Sequence, residues 1–559
     1  MNQPPSPLER GAVFLCLAGA AALLSLPLAN PDLFWHLSAG RWAAEHGAPP
    51  AADWLSHTKA GVPWADFEWL AQLAYYGALR SGGMAGLWAL KAAVLGAAGA
   101  VLWRLLGRLG AGPAGRALGV FAWLLASPSA NDLRPENVSL LFFLLLLERL
   151  EAARLEGRDA AGRGELAAAA ALFALWSNLH AGFVYGVGLL ALYGACAAAR
   201  SRSPRALAPA ALAAAAVLAN PYGVSVWTVP WQHWAALAEL ERYIFEWQEA
   251  TVLSPWLAPL WALMALSFAA LALRRWRAGS APPEHAGLLT ALAWSAAAHV
   301  RTAPYFVAAA VPLTVSGLAL GLGPRARRGL AYAGVLAALA FLAVLYRPVF
   351  ARGTLGFDPL YVPARAARFL ESERPALKGR RLFNPWHWGG YLGWRLDGDV
   401  PVFADGRYLF HDLLAPMYEA TKSPEAYAAL LDGYGVDVAV VQRLQQFAPV
   451  VLELEGGGRE TVLRPFYLFF YPRDTWALVH FDDRALVFVR RAAFDGAWVK
   501  AREYRWFRPD DLRAAQLDVL EGRASFSAVA AEANRWGEGA ELAERAAQRL
   551  WLADLARSS

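Results

Sequence analysis

From about residue 11 to 346, long Ala/Leu/Val/Trp runs alternate with short charged connectors; from 347 onward charged and apolar residues are evenly mixed. A helix needs about 20 mostly apolar residues to cross the hydrocarbon core of a bilayer. About eleven runs approach that length: 11–29, 85–103, 117–130, 138–150, 166–179, 182–199, 206–219, 253–273, 286–300, 303–321 and 329–346. The pattern therefore predicts a polytopic α-helical membrane domain over 1–346, with a long first outer loop at 30–84. Leu70–Leu79 reads as a helix leading into the second span. An α/β domain is expected over 347–508, with strand-like segments at Val400–Ala404, Val436–Val441 and Trp476–Val489. The tail, 509–559, reads as amphipathic helix.

The run 11–29 follows a single Arg10 and ends Leu-Pro-Leu-Ala-Asn, a poor cleavage site. It reads as an uncleaved first span rather than a signal peptide. Composition agrees with the membrane reading: 57% of residues are hydrophobic and 18% charged, against roughly 25% charged in soluble proteins. The net charge of +6 is explained by arginines at membrane-facing ends, so nucleic acid is not the expected partner. Cys16 and Cys196 both lie inside apolar runs, which argues against a structural disulfide or a cysteine metal site.

Connector charge predicts orientation. With the N-terminus inside, the inner connectors hold Arg10, Arg104, Arg108, Arg116, Arg149, Arg154, Arg158, Arg163, Arg200, Arg202, Arg205, Arg274, Arg275, Arg277, Arg325, Arg327 and Arg328. The outer ones hold only Arg41, Lys59, Arg80, Arg134, Arg242 and Arg301. Cytoplasmic loops carry such an excess. The expected topology is a bacterial inner membrane protein with a cytoplasmic N-terminus and a periplasmic C-terminal domain.

The unusual polar residues gather in the outer connectors. The first loop reads Asn-Pro-Asp32-Leu-Phe-Trp-His36, then Asp53, then Trp64-Ala-Asp66-Phe-Glu68-Trp. Carboxylates at the mouths of adjacent spans could hold a divalent cation through oxygen ligands or act as a general base. The plainer alternative is that they cap helix N-termini and face water. Three tight turns add Arg134 and Glu136, then His180, then Arg301. Polar groups at membrane depth normally face a cavity and a partner, although a snorkelling side chain is the alternative. Residues 220–252 carry Trp227, Trp231, Trp234 and Trp247, which read as an interfacial belt. In the C-terminal part, Trp386-His387-Trp388-Gly-Gly-Tyr391 suggests a close backbone approach with ring faces free to stack on a sugar. Asp405-Gly-Arg407 is either a site at a strand end or an ordinary turn.

These residues resemble the GT-C membrane glycosyltransferases, nearest to oligosaccharyltransferase catalytic subunits and protein O-mannosyltransferase-like proteins. The segment Asn-Pro-Asp32-Leu-Phe-Trp-His is similar to the family's first-loop Asp-Pro-x-Phe-Asn-Tyr-Arg pattern, with Asp32 at the acidic position. Arg134-Pro-Glu136-Asn partly matches the second acidic motif. Arg301 resembles the arginine that holds the donor's phosphate, and Trp386–Tyr391 resembles the Trp-Trp-Asp-Tyr-Gly acceptor motif without its aspartate. Uncharacterised bacterial membrane proteins share Pro-Asp-Leu-Trp-Trp-His-Leu and Phe-x-Asp-Gly-Arg.

The resemblance implies a polyprenyl-phosphate-linked sugar donor and a glycan, lipid or protein acceptor at the outer membrane face. It implies Asp32, Asp66 and Glu68 as catalytic acids, and Asp32 with Glu136 as ligands of a divalent cation such as Mg or Mn. Arg301, Arg134, Glu136, His36, His180, Trp386, His387, Trp388, Tyr391, Asp405 and Arg407 would bind substrate. The competing expectation is a non-catalytic membrane scaffold or export partner whose outer domain binds glycan or protein. Convergence of Asp32, Asp66, Glu68 and Arg301 separates the two.

Overall fold

A computed structural model describes residues 6–453 and 458–558. The chain forms two compact units, one from residues up to Ala51 and from Pro63–Asp358, the other from Ala52–Val62 and Pro359 onward. This division differs from a boundary at 346. Residues 347–358 stay with the helical unit because Leu28 donates its N–H to the Gly356 carbonyl (2.8 Å) and accepts one from Asp358 (2.7 Å).

The helical unit opens with α1 (Pro7–Leu24), α2 (Leu33–His46) and α3 (Trp69–Arg108). It continues through α4 (Pro113–Leu125), α5 (Glu136–Leu155), α6 (Arg163–Trp176), α7 (Phe183–Ser201) and α8 (Ala208–Ala216). Then come α9 (Ser225–Ala235), α10 (Leu237–Tyr243), α11 (Ala258–Ala278), α12 (Pro283–Ala298), α13 (Ala303–Gly321) and α14 (Pro324–Leu345). Among the described residues, six helices are long and apolar enough to cross a membrane: Pro7–Leu24, Trp69–Arg108, Phe183–Ser201, Pro255–Ala278, Val300–Gly321 and Pro324–Leu345. The protein is a multi-pass membrane protein, but the expected eleven spans are not matched. The other five runs form helices that are too short or, in α5, carry Glu148, Arg149, Glu151 and Arg154 toward one end.

Small residues let these helices approach closely, as packing between apolar helices requires. A Cβ on Gly317 of α13 would stand 2.8 Å from the Ala270 carbonyl oxygen of α11. α13 is the inner helix, buried on nearly every face. α3 bends at Gly83 (φ 58°, ψ −148°), a conformation that favours glycine. Its first part, which includes the expected helix at Leu70–Leu79, therefore takes its own direction and carries Gln72 and Tyr75.

The second unit holds β1 (Leu382–Phe383), β2 (Val438–Gln442), β3 (Phe447–Glu453), β4 (Arg459–Pro465), β5 (Trp476–Phe481) and β6 (Ala485–Arg490). One sheet runs β1-β2-β6-β5, parallel only between β1 and β2, and β3–β4 form a separate antiparallel pair. β6 is buried up to Arg490, and β2 is buried over its first three residues, Val438, Ala439 and Val440. The expected strand at Val400–Ala404 does not form. Val402 instead makes an isolated bridge to Ser56, donating to the Leu55 carbonyl (3.2 Å) and accepting from the His57 N–H (3.0 Å). A piece of the first loop thus takes the place of a neighbouring strand. The tail is helical at Leu512–Leu520, Phe526–Gly539 and Leu542–Ser558.

Candidate active site

Asp32 and Glu68 occupy the N-cap positions of α2 and α3, yet neither side chain accepts a capping hydrogen bond. An N-cap carboxylate normally binds the N–H of the second or third helical residue, so both carboxylates are turned to other partners. The turn that delivers Asp32 is held by Asp132, whose Oδ2 accepts the N–H groups of Ala29 (2.9 Å) and Asn30 (2.6 Å).

Glu68 lies between two imidazoles. His36 Nδ1 is 3.8 Å from its Oε2, and His180 Nε2 is 3.7 Å from its Oε1. α2 can bring His36 there because Gly40 lets it press against the Gln72 carbonyl of α3, where any Cβ would collide. Around His180, Gly182 donates its N–H to Nδ1 (3.0 Å), and the Ser139 hydroxyl meets the same nitrogen at 2.8 Å. Trp176 Nε1–H donates to Ser139 Oγ (2.6 Å), leaving the serine hydrogen for the imidazole. Nδ1 is therefore the acceptor, and the ring proton sits on Nε2, facing Glu68. Asp66 is buried beside this group, with Oδ1 accepting from Gln72 Nε2 at 2.6 Å.

Arg134 precedes α5 and Arg301 lies in the turn between α12 and α13. Both are bound to Glu246, in the short turn Phe245–Trp247. Arg134 reaches it through Nη1 (2.9 Å) and Nη2 (2.5 Å), and Arg301 through Nη1 (3.0 Å). The Arg301 guanidinium also stands 5.5 Å from the Trp247 ring centre.

Electrostatics ties the two groups into one neighbourhood. Burial raises the Asp32 pKa above the usual carboxylate range; Arg134 and Arg301 pull it down and Glu246 pushes it up. Glu68 is pushed well above its usual value by burial and then by Asp66, with Asp32 and Glu136 adding repulsion and Arg301 opposing. His36 is held well below its usual value, first by burial and then by His180, Arg134 and Arg301. His180 is lowered to about 3 by burial and Arg301. Glu246 is lowered to about 2, because its two arginines outweigh the opposing effect of burial. At neutral pH the site holds two neutral imidazoles and a paired Glu246 carboxylate. Of the sequence-derived residues, Asp32, His36, Asp66, Glu68, Arg134, Glu136, His180 and Arg301 fall together here. Glu136 heads α5 and is buried.

The remaining expected residues belong to the second unit. Gly389 does make the close approach, since a Cβ there would collide with the Ala404 carbonyl oxygen. The rings are not free to stack, however: Trp388 and Tyr391 are buried, Trp386 is half-buried, and only His387 is exposed. The Tyr391 hydroxyl is taken up by Arg395, which is itself paired with Glu371. Asp405 and Arg407 are not a ligand surface either. Arg407 is fully buried and bonds Asp405 (2.7 Å) and Asp53 of the first loop (2.6 Å). That ion triad is internal to the unit.

No family model matches the chain, and no curated protein matches it. Among solved structures, an Archaeoglobus fulgidus oligosaccharyltransferase in the apo form shares 81% of this chain and 74% of its own, at TM-score 0.50 and 11% identity. This chain shares the fold of that oligosaccharyltransferase. Apo ArnT from Cupriavidus metallidurans covers 87% of this chain and 99% of its own (TM-score 0.46, 16% identity). The same protein bound to undecaprenyl phosphate covers 86% and 98% (TM-score 0.45, 15% identity).

Within this fold, sequence reasoning missed Glu246, Ser139 and Gln72. Glu246 stands in an aromatic Phe-Glu-Trp step inside a loop read as an interfacial belt; a lone acid among ring residues was the available signal. The expected divalent cation fits the residues poorly. Asp32 and Glu136 already share the field of two guanidiniums, and among the described residues no group of three His, Cys, Asp or Glu could hold a metal. Positive charge here belongs to Arg134 and Arg301.

Proposed function

We propose that this protein is a membrane glycosyltransferase that moves a sugar or glycan from a polyprenyl-phosphate donor to an acceptor at the extracytoplasmic face. The observation that carries the reading is the pairing of a carboxylate without a capping bond, Asp32, with two guanidiniums in one neighbourhood. A base and a phosphate seat side by side are the parts that glycosyl transfer from a lipid phosphate requires. The fold shared with an archaeal oligosaccharyltransferase supports it.

In this reading the acceptor's hydroxyl or amide attacks the anomeric carbon, and its proton passes to Asp32. The bond between that carbon and the phosphate oxygen breaks, and the polyprenyl phosphate leaves with one additional negative charge. Arg301 and Arg134 stabilise that charge as it develops, the usual role of preorganised cations near a leaving group. The Nε2–H of His180 faces Glu68 from 3.7 Å, and Glu68 borders the place where the acceptor is held.

The test is reconstitution of the purified chain with a panel of polyprenyl-phosphate sugars and a membrane extract as acceptor source, reading release of free polyprenyl phosphate by mass spectrometry. Wild-type protein should release it and Asp32→Asn, inserted normally, should not. Equal release by both would remove Asp32 from the role of base.

A further inference from the structure

Arg134 and Arg301 come from distant parts of the chain, yet both direct their guanidinium groups to one carboxylate. Glu246 offers one oxygen to Arg134 Nη2 and the other to Nη1 groups of both arginines. Two guanidiniums converging on two oxygens is also how a phosphate group is grasped. Three observations distinguish this cluster from a plain structural ion pair. The acid lies in a three-residue turn rather than on a spanning helix. The cluster is partly open, with the Glu246 side chain 25% and the Arg301 side chain 37% exposed. Finally, Arg134 Nε is buried and has no hydrogen-bond partner among the described residues, a donor that a carboxylate with two oxygens has not satisfied.

The surrounding loop suits contact with lipid. Val224, Trp231, Trp234, Phe245, Val252 and Leu253 are all exposed, as expected of a segment in the headgroup boundary. The backbone next to Glu246 is nevertheless anchored. His299 Nδ1 meets the Trp247 carbonyl (2.9 Å), Val300 donates to Gln248 (3.1 Å), and Ala250 donates to Ala297 (2.9 Å). The side chain can leave while the main chain stays.

We propose that Glu246 is an internal stand-in for the donor phosphate, holding the Arg134–Arg301 seat until a lipid-borne phosphate displaces it. The proposal rests on the donor reading above and adds to it a built-in competitor. Two like-charged guanidiniums would repel each other in an empty seat; the carboxylate keeps them in place. A phosphate brings more acceptor oxygens, including one for Arg134 Nε, and outcompetes the carboxylate. An anion with fewer acceptors does not.

The experiment uses the full chain in nanodiscs, titrated with undecaprenyl phosphate and, separately, with inorganic phosphate, for wild type, Glu246→Gln and Glu246→Asp. If the carboxylate fills the seat about nine-tenths of the time, removing its charge should tighten lipid-phosphate binding about tenfold. Glu246→Asp keeps the charge but reaches less far, so it should bind a few-fold more tightly than wild type. It also decides the matter if the glutamine variant fails to fold. A gain for inorganic phosphate as well would mean that the phosphate group alone displaces Glu246; a gain confined to the lipid would mean that the attached chain is needed. Both support the proposal. Wild-type binding with equal or weaker binding by the variants would make Glu246 a brace, overturning this inference and leaving the donor reading intact. Absence of binding to either probe by every variant would overturn both.

Discussion

Gly182 donates its backbone N–H to Nδ1 of His180 at 3.0 Å, and that bond determines which face of the imidazole Glu68 meets. With Ser139 also directed at Nδ1, His180 can offer only Nε2–H to the acid. Glutamine places an N–H at nearly the same reach as histidine Nε2, whereas leucine places none. His180→Gln should therefore keep most transfer activity. His180→Leu should lose at least about tenfold, equivalent to about 1.4 kcal/mol at the transition state. The variants should be compared as kcat and KM separately at one pH. Equal losses would show that the imidazole acts only as packing.

Asp32 also sets a pH dependence whose direction follows from its neighbours. Its folded pKa is raised by burial, and Arg134 and Arg301 restrain that rise. A base works when ionised, so activity should fall on acidification from a pH above the ordinary aspartate range. Arg301→Gln removes one lowering influence, and the acid limb of the rate profile should then move to higher pH. Burial lowers both histidines near Glu68 from their usual value, so neither should add a limb near neutral pH. A limb in Arg301→Gln that is unmoved, or moved to lower pH, would contradict the arrangement.

How much of this was legible in the sequence depended on what each signal measures. Apolar runs and basic connectors report how a segment meets the bilayer, so the membrane class was readable from them. They do not report length after folding, and runs such as 206–219 became α8 of only 9 residues. Asp32, Glu68, Arg134, His180 and Arg301 drew attention because charged or imidazole groups beside apolar helices need partners. Which partner each finds depends on tertiary packing, and for that reason Glu246 escaped notice. The same limit applies to Asp405 and Arg407. Their triplet was visible, but its third member, Asp53, lies 354 positions from Arg407, and no local pattern links them.

That ion triad yields a stability prediction for the second unit. Arg407 balances two buried carboxylates, Asp53 and Asp405. Breaking a buried charge pair by removing one partner costs about 3–5 kcal/mol. Arg407→Met should therefore destabilise the unit by about that amount, because it strands two acids. Adding Asp53→Asn and Asp405→Asn to Arg407→Met should recover part of the loss. Proteolysis of the full chain in detergent, followed with a C-terminal tag, measures both. A triple variant no better than the single one would show that the arginine acts mainly through its packing.

Space at the back of the candidate site is tight enough for a single methyl group to test. Gly182 has an ordinary helical backbone, φ −61° and ψ −6°, so alanine faces no conformational barrier there. Its Cβ would stand 2.5 Å from Ser139 Oγ and collide with the Tyr305 hydroxyl. Ser139 would have to move off His180, and the imidazole would lose the contacts that fix its ring proton toward Glu68. Gly188 lies on the adjoining helix α7, and a Cβ there would meet nothing within 4 Å, so alanine at that position is the matched control. Gly182→Ala should insert and accumulate normally but transfer sugar at least about tenfold more slowly, a loss of about 1.4 kcal/mol, while Gly188→Ala should match wild type. Because both changes add the same methyl group to α7 or its cap, a general effect on helix packing would slow both alike. Only a defect confined to Gly182→Ala connects the rate to the Ser139–His180–Glu68 chain.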